Sequence, residues 1–180
     1  QLELLAMIAQ GYSNQEMRLR VAEMVHAFGM EDLLKSKPSE LSGGEKKILN
    51  LLSVLLLKPK VLLLDEPTSQ LDPIAARDLI MMLGRLNREL GITIILVDHR
   101  LEELFAVADR VILMKDGKVN YEGNSKEVIY SVFHAKDEKF LPYIPSISQL
   151  YLNREKEITV EKIPITVKEC KKWASTLPPF

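Results

Sequence analysis

Glycine is scarce in this sequence, with 8 in 180 residues, and only Gly43 and Gly44 are adjacent. A phosphate-cradling string of the form G-x-x-x-x-G-K-[ST] occurs nowhere in it. Cysteine is limited to Cys170, so no internal disulfide can form; the chain fits a reducing compartment, and an inert thiol is the simplest reading of that residue. An excess of charge of one sign is also missing. The 24 Lys+Arg stand against 25 Asp+Glu, and a net charge of -1 provides no basic field to hold a nucleic-acid backbone. The longest apolar stretch, residues 48–57, is interrupted by Asn50 and Ser53 and stops at Lys58. That is well short of the roughly 20 residues that span a bilayer. What is present is a hydrophobic fraction of 47%, enough for the core of one ordinary domain, which excludes a disordered chain.

The sequence opens on Gln1, and residues 1–11 read as the inside of a helix with no start signal, so the expectation is a piece of something longer. Ser13 and Glu16 then have capping-box spacing, with Met17, Val21, Met24, Val25 and Phe28 at helical intervals and Gly29 as the stop. This predicts an amphipathic helix. A short helical turn over 31–34 leads into L-S-G-G-E at 41–45, where Ser42 and Glu45 repeat the capping-box spacing. Residues 48–57 are apolar on most sides, as in a buried helix, and Pro59 ends them. Gly43 and Gly44 therefore sit at a helix N-terminus.

Residues 60–66, K-V-L-L-L-D-E, form a continuous apolar run closed by two acids and read as a buried parallel strand. Asp72 and Pro73 open a long helix to about Leu90 with Gly91 as its stop, and 92–97 read as a second buried strand ending at Asp98 and His99. Strand, helix, strand makes a parallel βαβ unit and an α/β fold. A helix over 101–107 precedes an antiparallel hairpin, 110–115 and 118–122, turning at Asp116-Gly117; Asn124 with Glu127 caps a further helix to about Phe133. Beyond 133 the character changes, because Pro142, Pro145, Pro164, Pro178 and Pro179 are five of the 9 prolines. This part reads as a tail or linker, with a strand over 163–167 and a terminal helix capped by Thr166 and Glu169 and carrying Trp173.

In open α/β sheets ligands bind beyond the carboxyl ends of the strands, where Asp65, Glu66, Asp98 and His99 all fall. Paired acids there suit magnesium-nucleotide hydrolysis, with Asp65 holding a hydrated Mg2+ and Glu66 polarising a water. Taken as an isolated pair, they are more simply a solvated, salt-bridged strand end. His26 and His134 have no metal-binding partner at useful spacing, Met81 and Met82 read as core or interface filler, and Lys46 and Lys47 as a solvated helix face.

The ordered set changes the balance. L-S-G-G-E at 41–45, V-L-L-L-D-E-P-T-S at 61–69, Q-L-D at 70–72 and the strand-ending His99 resemble, in order and spacing, the motifs of ATP-binding cassette (ABC) ATPases. The resemblance covers residues 1–133 strongly and the remainder weakly. It implies an α/β, partial P-loop NTPase fold: parallel strands with flanking helices plus a helical signature subdomain. Residues 1–58 would hold the remnant of that subdomain with its signature motif. Residues 59–133 would hold the Walker B strand, D-loop and switch histidine, and 134–180 a tail or linker that could lead to a second cassette. The same resemblance implies ATP and Mg2+ as ligands, with Glu66 as general base, Asp65 as the metal acid and His99 as a γ-phosphate sensor. Ser42, Gly43, Gly44 and Glu45 would meet the γ-phosphate of a nucleotide on the opposite subunit of a head-to-tail dimer, and Asp72 would couple the two sites.

Chromosome-maintenance and DNA-repair heads, and translation factors, also use L-S-G-G-E-K. D-E-P-T at 65–68, S-Q-L-D at 69–72 and V-D-H-R-L-E-E-L from Val97 are instead similar to importer cassettes, and long heptads are absent. With the tail L-P-Y-I-P-S-I-S-Q-L-Y-L and I-T-V-K-E-C-K-K-W, the chain resembles energy-coupling-factor ATPases, which drive uptake of vitamins and transition-metal ions. The implied partners are an identical or related cassette and an integral membrane subunit, at the cytoplasmic face of the cell membrane, with no nucleic acid. The expectation is the carboxyl-terminal portion of a cassette, inactive alone, its Walker A and glutamine loops lying upstream; a natural half-cassette that lends its signature to a partner is the competing reading.

Overall fold

A computed structural model describes residues 11–27, 31, 39–99 and 101–177, and the chain divides into two compact units, Gln1–Asp98 and His99–Phe180. In the first unit, α1 (Asn14–Ala27) starts where expected. The Ser13 N–H donates to Glu16 Oε2 at 2.7 Å, and the Glu16 N–H donates to Ser13 Oγ at 3.3 Å. Met17 and Val25 are buried, the inward stripe that their spacing implies. The expected stop at Gly29, and all but Glu31 of the turn over 31–34, lie outside the described residues.

α2 (Gly43–Leu55) carries the predicted capping box: the Glu45 N–H donates to Ser42 Oγ at 3.2 Å and the Ser42 N–H to Glu45 Oε2 at 2.7 Å. It ends two residues before the expected 57, because Lys58 turns left-handed at φ 49° and its N–H donates to the Leu55 carbonyl at 2.9 Å. Its burial is also one-sided rather than general. Leu51, Leu52 and Leu55 are buried, whereas Val54 is exposed.

β1 (Val61–Asp65) and β2 (Thr93–Val97) pair in parallel, with Val61 opposite Thr93 and Asp65 opposite Val97. α3 (Pro73–Leu90) connects them, with Asp72 at its N-cap, Pro73 in its first turn and Gly91 as a left-handed stop at φ 64°, as the sequence reads. The strands are less buried than their continuous apolar runs predict. Leu62 packs with Leu51, Leu55, Leu79, Leu83 and Ile92 in one core, but Leu63 on the opposite face is 70% exposed, alongside exposed Val61, Ile95 and Val97. The helices cover one side of this two-stranded sheet, and the described residues of the unit leave the other open.

The second unit runs α4 (Leu101–Val107), β3 (Val111–Lys115), β4 (Lys118–Gly123), α5 (Ser125–His134), α6 (Ser146–Arg154) and α7 (Val167–Ala174), with single 3-10 turns at Leu141–Tyr143 and Val160–Lys162. β3 and β4 are antiparallel, joined by Asp116 at φ 51° and Gly117 at φ 73°, the two left-handed residues of a type I′ hairpin. Asn124 and Glu127 form the expected capping box of α5.

Sequence reasoning divides the chain after 58 and after 133. In the structure no break falls at 133, because Phe140, Ile144, Tyr151, Leu152 and Ile163 share one buried core with Phe105, Leu113, Val128, Ile129 and Val132. Polar ties reinforce it: the buried Ser148 hydroxyl donates to the Pro164 carbonyl at 2.6 Å, and Trp173 Nε1 donates to Glu155 Oε1 at 2.6 Å. The strand expected over 163–167 is absent. Pro164 offers no N–H to a ladder, and the Thr166–Glu169 capping box draws Val167 into α7.

Candidate functional site

The carboxyl end of the first unit's sheet gathers several of the residues singled out above. Asp65 is the last residue of β1, Glu66 follows it, and Asp98 follows β2; Asp65 and Glu66 are both exposed. Glu66 sits at φ 44°, a left-handed conformation uncommon for a residue with a side chain. Its N–H donates to the Val97 carbonyl at 2.8 Å, so the parallel ladder extends one step past β1 before the chain turns. The Ser69 N–H then donates to the Glu66 carbonyl at 3.1 Å, and Gln70 is left-handed again at φ 64°. Left-handed residues at both ends of a five-residue turn persist only where surrounding contacts over-determine them.

Those contacts come from two directions. From β2, Asp98 Oδ2 accepts from the hydroxyl of Thr68 at 2.6 Å and from its N–H at 3.2 Å, and Thr68 is buried. From α2, Lys47 Nζ donates to the Pro67 carbonyl at 3.3 Å, to the Ser69 hydroxyl at 3.2 Å and to the Ser69 carbonyl. Lys47 therefore does not lie on a purely solvated face, as its sequence suggests. The sequence signal was the spacing alone, since Lys47 is three residues after Gly44 and shares its face of the helix; in the structure an added Cβ at Gly44 would lie 3.3 Å from Leu71 Cδ2.

The start of α2 is open to solvent. Ser42 and Gly43 are exposed, and a Cβ on Gly43 would meet nothing within 4 Å. Unpaired first-turn N–H groups and the helix dipole favour negative charge there. Glu45 is exposed on the same turn, and its carboxyl is held below the ordinary glutamate range by the side-chain and backbone hydrogen bonds to Ser42. Asp72 accepts from the N–H groups of Ile74 and Ala75, both at 3.0 Å, and so caps α3. His99 is the first residue of the second unit and is exposed.

The described residues contain no cluster of three or more potential metal-ligating side chains. Mg2+ is commonly held by one or two carboxylates together with phosphate oxygens and water. Asp65, exposed at a strand end, fits that donor set.

The family model described as ABC transporter matches residues 3–69. An ABC transporter ATP-binding protein of Bacillus thuringiensis subsp. konkukian is 45% identical over 161 residues, covering 89% of this chain and 28% of that protein. The chain carries part of an ABC transporter ATP-binding domain. An energy-coupling factor transporter ATP-binding protein, EcfA1 of Caldanaerobacter subterraneus subsp. tengcongensis, is 39% identical to this ABC chain over 160 residues, 88% of the chain and 57% of that protein. Among solved structures, CbiO1 of Clostridium perfringens, described as part of the ABC transporter complex cbiONQ, aligns with a TM-score of 0.64 at 37% identity, over 78% of this chain and 56% of that one. The ABC chain thus has the α/β, P-loop NTPase fold of these ATPases in part, and it spans from about a quarter to somewhat over half the length of these relatives.

Proposed function

We propose that this chain supplies the signature motif, the general base and the switch histidine of an ATP-hydrolysing cassette that powers solute import through an integral membrane partner. The observation that carries the reading is the left-handed Glu66, tied by its N–H to Val97 at the sheet end beside Asp65. Backbone strain kept at a strand terminus, on the second of two adjacent acids, is the arrangement expected where a side chain must be aimed at a ligand.

In this reading Glu66 accepts a proton from the attacking water, and His99 contacts the γ-phosphate and reports its loss. Asp65 holds Mg2+, which neutralises charge on the phosphates. Ser42, Gly43, Gly44 and Glu45 form the phosphate-facing end of α2. The open space at Gly43 suits a nucleotide carried by a second cassette, identical or related, in a head-to-tail pair. Asp72, which caps α3 just after the turn, couples the two nucleotide sites. Catalysis is mostly positioning and electrostatics, as phosphoryl transfer to water requires.

The solute is of the class taken by energy-coupling-factor systems, a vitamin or a transition-metal ion. EcfA1 of Caldanaerobacter matches over 88% of the chain, whereas a methionine import ATP-binding protein of Carboxydothermus hydrogenoformans, 35% identical, matches over 73%. The similarity to transporter ATP-binding proteins supports a site of action at the cytoplasmic face under a membrane subunit; no helix among the described residues is long and apolar enough to cross a membrane.

The test is ATP turnover by the purified membrane assembly containing this chain. Glu66→Gln should lower the rate about a hundredfold or more while ATP binding persists; turnover at the parent rate overturns the reading. The 180 residues alone should neither bind ATP tightly nor hydrolyse it, since they hold no G-x-x-x-x-G-K-[ST] loop.

A further inference from the structure

We infer that Lys47 is a positioning residue that joins the phosphate-facing start of α2 to the turn carrying Glu66 and leading to Asp72. The inference rests on the hydrolytic reading above and adds a residue to which that reading gives no part. An ammonium group has three donors and no acceptor. Around Lys47 Nζ stand three acceptors, the carbonyls of Pro67 and Ser69 and the Ser69 hydroxyl, so its donors and its surroundings match in number. The stem is half-buried as it crosses from the helix to the turn.

The geometry makes this more than a surface tie. Lys47 lies about one helical turn after Gly43, the first residue of α2. Gly44, on the same face, meets Leu71 closely, and Leu71 is buried in the core beside Leu51 and Leu52. The beginning of α2 and the 66–71 turn are therefore braced at two points, one apolar and one charged. On the far side the turn is held by Asp98 through Thr68. Apolar packing at Leu71 fixes how close the two segments come, but it does not fix the rotation of the peptide groups at 67 and 69. Lys47 does so from one side by drawing both carbonyls towards one point, while Asp98 holds the Thr68 N–H of the first peptide from the other. The peptides so held lie within the turn that the left-handed Glu66 and Gln70 bound, the second of them adjoining Gln70 itself. A phosphate arriving at Ser42–Gly44 thereby meets a helix end whose small displacements pass to the general base of the same chain.

The experiment compares Lys47→Met, Lys47→Arg and Lys46→Met in the intact membrane assembly, reading kcat and KM for ATP, with hydrogen exchange measured on the same assemblies. Lys47→Met should lower kcat about tenfold or more with KM within about twofold, since a displacement of the reacting group costs rate rather than binding. Exchange at the Ser69 and Leu71 amides should quicken while that of β1 and β2 stays at the parent rate. Lys47→Arg, which keeps charge and reach, should recover most of the lost kcat; Lys46→Met, one position away and exposed, should match the parent. An unchanged kcat in Lys47→Met overturns the inference, as does exchange that rises equally across α2, β1 and β2, which marks a merely structural lysine. Failure of the hydrolytic reading is seen separately, as unimpaired turnover in Glu66→Gln.

Discussion

The hydroxyl of Thr68 donates to Asp98 Oδ2 at 2.6 Å, binding the turn after β1 to the residue that follows β2. Thr68 is only 1% exposed, so this charge-assisted bond operates largely out of solvent. Thr68→Val should lower unfolding free energy by about 1–3 kcal/mol. In an Asp98→Asn background the same substitution should cost less, with a coupling of about 1 kcal/mol or more in a urea-unfolding double-mutant cycle. Additive effects would remove the bond from the account of the turn.

Glu66 at φ 44° separates stability from activity at one position. Glu66→Gly should leave stability unchanged or raise it by up to about 1 kcal/mol, since glycine enters the left-handed region without a Cβ clash but gains entropy when unfolded. Glu66→Val, β-branched, should cost about 1–2 kcal/mol. Thermal unfolding checks the order; a valine variant as stable as the glycine variant would contradict the left-handed backbone.

The Ser42–Glu45 capping box should give α2 an acid-sensitive start. Hydrogen bonds to Ser42 hold the Glu45 carboxyl below its ordinary value, so between the folded and ordinary values the unfolded chain binds more protons than the folded one. The cap's contribution is accordingly complete above the ordinary glutamate range and is lost as pH falls through the folded value. A carboxyl-detected NMR titration should find Glu45 titrating below the ordinary value. Glu45→Gln, which still caps the helix, should flatten the acid limb of the stability curve; an unaltered limb would count against the box.

Ile163 tests whether the last third of the chain is part of a core. It is fully buried, so Ile163→Ala should cost about 2–5 kcal/mol. The single tryptophan, Trp173, bonded to Glu155 and edge-on to Tyr151 at 5.3 Å, should report the same transition by fluorescence. A substitution without effect would return residues beyond 133 to the status of a linker.

Much of the fold is legible because its punctuation is local. The capping boxes at Ser42, Asn124 and Thr166, the Asp72–Pro73 start, the Gly91 stop and the Asp116-Gly117 turn each act within a few residues, and the structure has all of them. The proline-rich segment after 133 misleads, because prolines interrupt periodicity without preventing burial; Pro145 and Pro164 are themselves among the most buried side chains. Likewise an apolar run such as 61–64 announces a strand but not how many of its faces the neighbouring elements cover.

The sequence by itself determined the order of the elements and placed Asp65, Glu66, Ser42–Glu45 and Asp72 at their ends, since caps, stops and apolar periodicity are short-range properties. Only the tertiary structure decided that Lys47 and Asp98 close on the turn between Glu66 and Gln70 from opposite sides, and that Ile163 completes the core begun by Phe105. Lys47 and Ser69 are 22 residues apart, and Phe105 and Ile163 are further still. No local pattern specifies such pairs, because their meeting depends on how whole helices and strands pack.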